Sequence, residues 1–271
     1  MTARSFEIAS GGLRPFGEIE GGLARASAAL PDGAYTSFRT YEGRRVLRLA
    51  QHLRRLEDST ALQGRPGSID AAEVRAGLTA ALDATAFDES RLRLTFAPPR
   101  VFVSVEPFSP LPASFYEQGV AAATVPVKRE TPHSKDTRFI ATAEGAYREL
   151  PAGAHEGLLV AEDGAILEGL SSNFFAVLGG ALRTEEARVL LGVTRALVLE
   201  LAGPRLPVVL DAIRRAELAK AREAFITSVS REVLPLVRID GAPVGDGRPG
   251  PLARDLRKDF AALVAREAER L

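Results

Sequence analysis

Apolar and polar positions along this chain repeat with two different periods, and the period changes at glycines and prolines. "RLRLTF" (91–96) places Leu92, Leu94 and Phe96 at every second position, the spacing of a half-buried strand, and "AYTSFRTY" (34–41) reads as a further strand. "AQHLRRLEDSTAL" (50–62) carries Leu53, Leu56 and Leu62 at helical spacing with charges between them. "DAAEVRAGLTAALDA" predicts a second helix, with Asp70 as a candidate N-cap. Glu42-Gly43 between "AYTSFRTY" and "RRVLRL" predicts a hairpin, because both positions suit a tight turn. A second hairpin is predicted from "RLRLTF" and "RVFVSVEPF" around Pro98-Pro99.

The second half repeats the mixture. "GVAAATVPV" reads as a strand and "TRFIATAEGAYREL" as a helix. "EGLLVAEDGAILEG" holds two strands joined through Glu162-Asp163-Gly164, and "NFFAVLGGALRT" two more around Gly179-Gly180. "GVTRALVLELAG" is a helix bounded by glycines, with Val193, Ala196, Leu197 and Leu201 on one face. "RRAELAKAREA" reads as a charged helix, "EAFITS" and "VLPLVRID" as strands, and "GPLARDLRKDFAALVAREAERL" as a closing helix. "EPFSPLPASFYEQG" has three prolines and no sustained period, so it reads as a linker. The expected fold class is α+β in two domains, residues 1–107 and 119–271, joined by residues 108–118.

Composition narrows the function. Thirty-five basic and thirty-five acidic side chains cancel, so neither a nucleic acid nor an anionic membrane is an expected partner. The chain has no cysteine, which excludes disulfides, thiolate catalysis and cysteine-ligated metals. No leader-like apolar segment opens it and no run approaches a membrane span, so a cytoplasmic location is expected. Nearly every basic residue is arginine. The lysines are Lys128, Lys135, Lys220 and Lys258, which leaves lysine chemistry four candidates.

Three local features carry candidate chemistry. Gly192, Val193 and Thr194 open a helix whose free N–H groups and dipole favour an anion, although an ordinary cap looks the same. His52 and Arg55 lie on neighbouring turns of one helix face. Arg55 could clamp a phosphate bidentately, or the face could simply be solvated. Glu168 and Asn173 stand at the two ends of "EGLSSN", a polar turn between apolar strands. A carboxylate there could hold a proton on a heterocycle nitrogen, and Asn173 could fix it, or the stretch could be only a hairpin turn. A phosphate site, an acid for a pyridine nitrogen and a lysine together are what pyridoxal 5'-phosphate requires.

The motifs "DGAYTSFRTYEG", "HLRRLEDS", "EGLSSNFFAV", "LLGVTRALVLELA" and "EAFITSVSREVLPLVRIDG" occur in this order between about residues 32 and 256. In this the sequence resembles the class IV aminotransferases, the fold-type IV pyridoxal-phosphate group. That group includes branched-chain and D-amino-acid aminotransferases and aminodeoxychorismate lyase. The resemblance implies a two-domain fold with a barrel-like cofactor-binding domain. It implies that Glu168 meets the ring nitrogen, supported by Asn173. It also implies that Val193 and Thr194 receive the phosphate with Arg55 as its clamp, and that Lys135 holds the aldehyde as a Schiff base. Lys135 lies 33 residues before Glu168, whereas Lys128 lies 40 before it on a strand end; Lys220 and Lys258 read as solvated.

Two departures from the family stand out. A tyrosine common soon after the lysine is replaced by Phe139 and Ile140, with His133 as a nearby substitute donor. The acid of the family's "FEGxR" segment is Thr36 here. By resemblance, the turn "TSVS", Thr227 to Ser230 with Ser228, Val229 and Ser230, contributes backbone donors for the phosphate or the substrate carboxylate, while Tyr35, Arg39 and Arg93 lie on the substrate side. The competing reading of Arg93 is a strand charge facing solvent. The implied reaction is transamination between an amino acid, most simply a branched-chain or similar L-amino acid, and a 2-oxo acid. The alternatives are a D-amino-acid aminotransferase, a lyase that eliminates pyruvate, and a cofactor-binding relative without turnover. A homodimer is the implied assembly.

Overall fold

The computed structural model describes residues 2–271. The chain forms two compact units. The first comprises the chain up to Ser109 with His133–Ile140 and Val264–Leu271, and the second comprises Pro110–Pro132 and Ala141–Leu263. The linear division expected from the prolines therefore differs from the structure at three segments.

In the first unit the elements are β1 (Thr2–Ala9), β2 (Gly12–Glu20), α1 (Gly22–Ala29), β3 (Ala34–Arg39), β4 (Arg45–Val46), α2 (Leu49–Leu62), α3 (Ala71–Thr85), β5 (Ser90–Ala97) and β6 (Arg100–Pro107). Five of the strands make an antiparallel sheet in the order β2-β1-β6-β5-β3. The alternation in β3 puts Ala34, Thr36 and Phe38 on its buried face. Asp70 caps α3 as expected, accepting from Ala72 N–H at 2.8 Å and Glu73 N–H at 3.0 Å. The β5–β6 hairpin also forms around Pro98-Pro99.

The hairpin expected at Glu42-Gly43 forms only as a turn. Both residues have positive φ, and Tyr41 and Arg45 make a single bridge across it, but β3 pairs with β5 instead. β4 finds its partner at the chain's other end, in β16 (Glu269–Arg270). Arg45 reinforces that pairing through its Nε bond to the Ala268 carbonyl, 2.8 Å. A two-residue strand has too few ladder bonds to hold a hairpin against that competition.

The second unit contains α4 (Ala113–Gln118), β7 (Val120–Val125), most of α5 (Arg138–Arg148), β8 (Ala154–Val160), β9 (Ile166–Gly169), β10 (Asn173–Leu178), β11 (Ala181–Arg183), α6 (Val193–Ala202), β12 (Val208–Val209), β13 (Glu223–Ser228), β14 (Glu232–Ile239), β15 (Ala242–Pro243) and most of α7 (Pro251–Glu267). Its sheet runs β10-β13-β14-β7-β8-β9, and β9 pairs again with β10, so six strands close a barrel. The closing pair is Asn173 opposite Glu168. Phe174, Ala176, Ala224, Ile226, Leu234, Leu236, Val120, Ala122, Leu158 and Ile166 come from all six strands and meet in one core cluster.

Two expectations need correction here. The proline-rich segment is not a free linker, because α4 packs against β14 and buries Tyr116. "RRAELAKAREA" is not a long helix either. It forms one short 3-10 stretch, Arg215–Lys220, since Glu223 and Ala224 are already buried in β13.

Candidate active site

In the first unit, the segment around Lys135 is stitched to the edge of β3. Tyr35 N–H donates to the Lys135 carbonyl at 2.9 Å, Thr137 N–H to the Gly33 carbonyl at 3.0 Å, and Lys135 N–H to Ser59 Oγ of α2 at 3.1 Å. This explains why residues 133–140 belong with the first sheet. Lys135 Nζ lies 4.6 Å from the centre of the Tyr35 ring. Lys128, Lys220 and Lys258 are exposed and Lys135 is half-buried. A desolvated amine is the form that amine chemistry needs.

Arg55 projects from α2 beside β3. Its Nη2 donates to Thr36 Oγ1 at 2.5 Å, and Thr36 Oγ1 lies 2.7 Å from His52 Nδ1. Arg55 Nε is buried with no hydrogen-bond partner, and no acid pairs with the guanidinium among the described residues. Burial pushes the Arg55 guanidinium down to about 10, an effect that the nearby Tyr35 phenol partly opposes. Burial, followed by the charges of Arg55 and Lys135, holds the His52 imidazole well below its ordinary value. This cluster has excess positive charge and an unused donor, which is what a phosphate monoester would complete.

In the second unit, Glu168 is buried at the barrel's closing pair. Its Oε1 accepts from Arg129 Nε at 2.8 Å and its Oε2 from Leu190 N–H at 3.2 Å. Asn173 Nδ2 donates to the Leu190 carbonyl at 2.7 Å and reaches Glu168 Oε2 at 3.5 Å. These bonds tie the turn to the loop that leads into α6. A side chain at Gly192 would put its Cβ 2.3 Å from Asn173 Oδ1, so only glycine lets the two approach. α6 begins at Val193 and Thr194 without a side-chain cap, and Thr227 Oγ1 is buried without a partner. The uncapped N–H groups and the spare hydroxyl also fit an anion. Ser228 ends β13, and Val229, Ser230 and Arg231 form the three-residue loop to β14.

The substrate-side residues have structural work of their own. Arg93 donates to the Leu23 carbonyl at 3.0 Å, to Ser27 Oγ at 2.7 Å and to Ser37 Oγ at 3.2 Å, and its guanidinium lies 4.7 Å from the Tyr35 ring centre. It anchors α1 to the sheet, which replaces the reading of a solvent-facing strand charge. Arg39 stacks on Tyr41 and Phe108, 3.9 and 4.7 Å from their centres. His133 is exposed and Phe139 is buried.

Sequence reasoning missed Arg129 as the partner of Glu168, and His52 and Thr36 as the supports of Arg55. "VPVKRE" gave no local sign that Arg129 rather than Lys128 turns inward. The replacement of an acid by Thr36 was the one signal that Arg55 lacks an internal counter-charge.

A closed barrel with a polar closing turn, together with a sheet that carries a half-buried lysine, defines a fold-type IV enzyme scaffold. The chain matches the family described as Amino-transferase class IV over residues 33–239 and belongs to it. It is therefore a pyridoxal-phosphate-dependent aminotransferase. It is 28% identical to a branched-chain-amino-acid aminotransferase of Pseudomonas aeruginosa over 88% of this chain and 85% of the relative. It is 30% identical to a D-alanine aminotransferase of Bacillus licheniformis over 83% of this chain and 85% of that one. A branched-chain aminotransferase of the archaeon Thermoproteus uzoniensis, solved with norvaline, shares the fold, with a TM-score of 0.80 at 24% identity over 99% and 97% of the two chains. Among the described residues no helix is long and apolar enough to cross a membrane, and no acid or histidine cluster could hold a metal.

Proposed function

We propose that this chain moves the amino group of a branched-chain or similar L-amino acid to a 2-oxo acid, with Lys135 as the catalytic amine. The bound cofactor supplies an electron sink for the bond broken at the substrate Cα. Lys135 Nζ would hold the cofactor, and its free amine would take the proton from that Cα. Glu168, oriented by Arg129, Asn173 and Leu190 N–H, holds the proton on the ring nitrogen. In the first unit Arg55, and in the second the N–H groups of Val193 and Thr194 and the Ser228–Ser230 turn, would receive anionic oxygens. Tyr35, Arg39 and Arg93 contact the substrate or shape its surroundings, and the active assembly is a homodimer.

The observation that carries the cofactor roles is the half-buried Arg55 side chain, with a buried, unused Nε and no acidic partner. A solvated surface arginine would need neither Thr36 nor His52 to hold it. The substrate class rests on the Pseudomonas aeruginosa relative. The Bacillus licheniformis D-alanine aminotransferase supports a second reading, a D-amino-acid donor. A panel of L- and D-amino donors with 2-oxoglutarate and pyruvate as acceptors separates the two. Turnover confined to D-donors would overturn the first reading, and pyruvate release without an acceptor would replace both with a lyase.

A further inference from the structure

A densely bonded polar cluster in the second unit is centred on Glu156 and Arg231, neither of which has a role in the reaction described above. Glu156, in β8, is fully buried. Its Oε2 lies 2.9 Å from Arg231 Nη1 and accepts from Ser172 Oγ at 2.8 Å, while Oε1 accepts from the Tyr147 hydroxyl at 2.5 Å. Arg231 spends its other donors on two further segments. Nη2 donates to the Ser171 carbonyl at 3.2 Å, and Nε donates to Ser228 Oγ at 3.1 Å. The Tyr116 hydroxyl donates to the Arg231 carbonyl at 3.2 Å. A Cβ at Gly169 would stand 2.2 Å from Ser172 Oγ and 2.9 Å from Glu156 Cδ, so the "EGLSSN" turn sits directly on this carboxylate.

One planar guanidinium thus joins β8, the "EGLSSN" turn and the β13–β14 loop. Its bond to Ser228 has a chemical consequence. Ser228 Oγ accepts from Arg231, so its own proton is directed elsewhere and is available to an incoming acceptor. Burial, the largest single effect, would lower the Arg231 guanidinium, but the charges of Glu156 and Tyr147 and the hydrogen bonds to both together outweigh it, and the arginine is held above its ordinary value. Burial, together with the same carboxylate, keeps the Tyr147 phenol protonated far above its usual range.

We propose that Arg231, held by Glu156, is a positioning residue that turns the Ser228 hydroxyl into a donor for a ligand anion and sets the β13–β14 loop against the "EGLSSN" turn. The inference rests on the reading that the Ser228–Ser230 turn receives an anion. That anion is either the cofactor's phosphate monoester or the substrate's carboxylate.

Arg231→Lys tests it, because lysine keeps the charge facing Glu156 but lacks the fork that also reaches Ser171 and Ser228. The apo-protein is titrated with pyridoxal phosphate and with pyridoxal, which lacks the phosphate, and the KM of the holoenzyme for the amino acid is measured. If the anion is the phosphate, affinity for pyridoxal phosphate falls about tenfold or more while that for pyridoxal stays within about twofold. If it is the carboxylate, KM rises about tenfold and kcat and cofactor affinity hold. Ser228→Ala should give the same selective loss, and the two changes together should cost no more than either alone. Ser228→Ala leaves the Glu156 cluster intact, so it carries the test by itself if Arg231→Lys does not fold. An equal loss for pyridoxal phosphate and pyridoxal, or no change in either affinity or KM, would overturn the proposal. Wild-type protein that takes up no pyridoxal phosphate would instead defeat the underlying cofactor roles, a result read before any variant is made.

Discussion

Around Arg55 in the first unit, a half-buried cation is held by a hydroxyl and an imidazole and meets no carboxylate. Around Glu168 and Glu156 in the second unit, each buried carboxylate has an arginine within hydrogen-bonding distance, at 2.8 and 2.9 Å. Removing a charge from water is costly unless a partner restores what solvation supplied. The second unit restores it internally for these two carboxylates, which are closed with respect to stability. The first unit leaves its cation open, and in our proposal a ligand supplies the missing partner. Breaking a closed pair should therefore cost folding, and breaking the open group should cost binding.

The largest expected effect is at Lys135. Lys135→Ala should lower turnover by about four decades or more, because no other group replaces a covalent amine. Borohydride reduction of the holoenzyme followed by peptide mapping should leave the pyridoxyl mass on the Lys135 peptide. Finding it on Lys128 would move the site off the open cluster and end the comparison at its first term.

Arg231→Ala should break a closed pair. It leaves the Glu156 carboxylate buried and uncompensated, a loss of about 3–5 kcal/mol in unfolding free energy by denaturant titration. Arg55→Ala should leave unfolding within about 1 kcal/mol of wild type, since no buried acid is stranded by its removal. Equal destabilisation by the two changes would erase the distinction between closed and open groups.

Glu168→Gln sharpens the comparison from inside the second unit. The amide keeps the shape of the closing turn but cannot stabilise a ring N–H⁺ as a carboxylate does. Turnover should fall by about two decades, about 3 kcal/mol in barrier, with cofactor still bound. Unchanged turnover would mean that Glu168 serves the barrel alone.

Thr36→Glu should close the open group. An acid facing Arg55 would satisfy it internally and repel a phosphate, so affinity for pyridoxal phosphate should drop about tenfold or more while kcat at saturation changes little. Wild-type affinity in a titration of the apo-protein would return Arg55 to a structural role.

The smallest expected effect is a pH dependence. The folded-state value of His52 is depressed well below its ordinary value of 6.5. As pH falls below about 6.5, the unfolded chain takes up a proton that the native imidazole refuses, so stability that is complete above that pH is progressively lost. His52→Gln should flatten the slope of unfolding free energy between about pH 7 and pH 5. An unaltered slope would assign the acid sensitivity to other groups.

The order of strands and helices was legible because it is a local property. Leu53, Leu56 and Leu62 report a helix, the alternation of "RLRLTF" a strand, and Asp70 a cap, each within a few residues. The places where reading failed are those where distant segments compete. β4 pairs with the far end of the chain instead of with β3, and the proline-rich stretch packs as α4. Lys135 could be singled out because lysine is rare here. Arg129 and Arg231 could not, because arginine is everywhere in this chain and an ion pair has no sequence period.

The sequence by itself determined the alphabet of this protein: the periods of its elements, the glycines that permit close approach, the scarcity of lysine, and a set of motifs in family order. Only the tertiary structure decided which charges are satisfied. Asn173 meets Glu168 because the barrel closes there, and Arg129 reaches Glu168 across 39 residues of chain. Arg231 finds Glu156 from the far side of β13. Arg55 keeps Thr36 and His52 for company and no acid. Local patterns arise from steric preferences between neighbours, which the chain carries wherever it goes. Charge pairing depends on which strands lie side by side, and that is settled only when burial of the apolar faces selects one closure of the sheet.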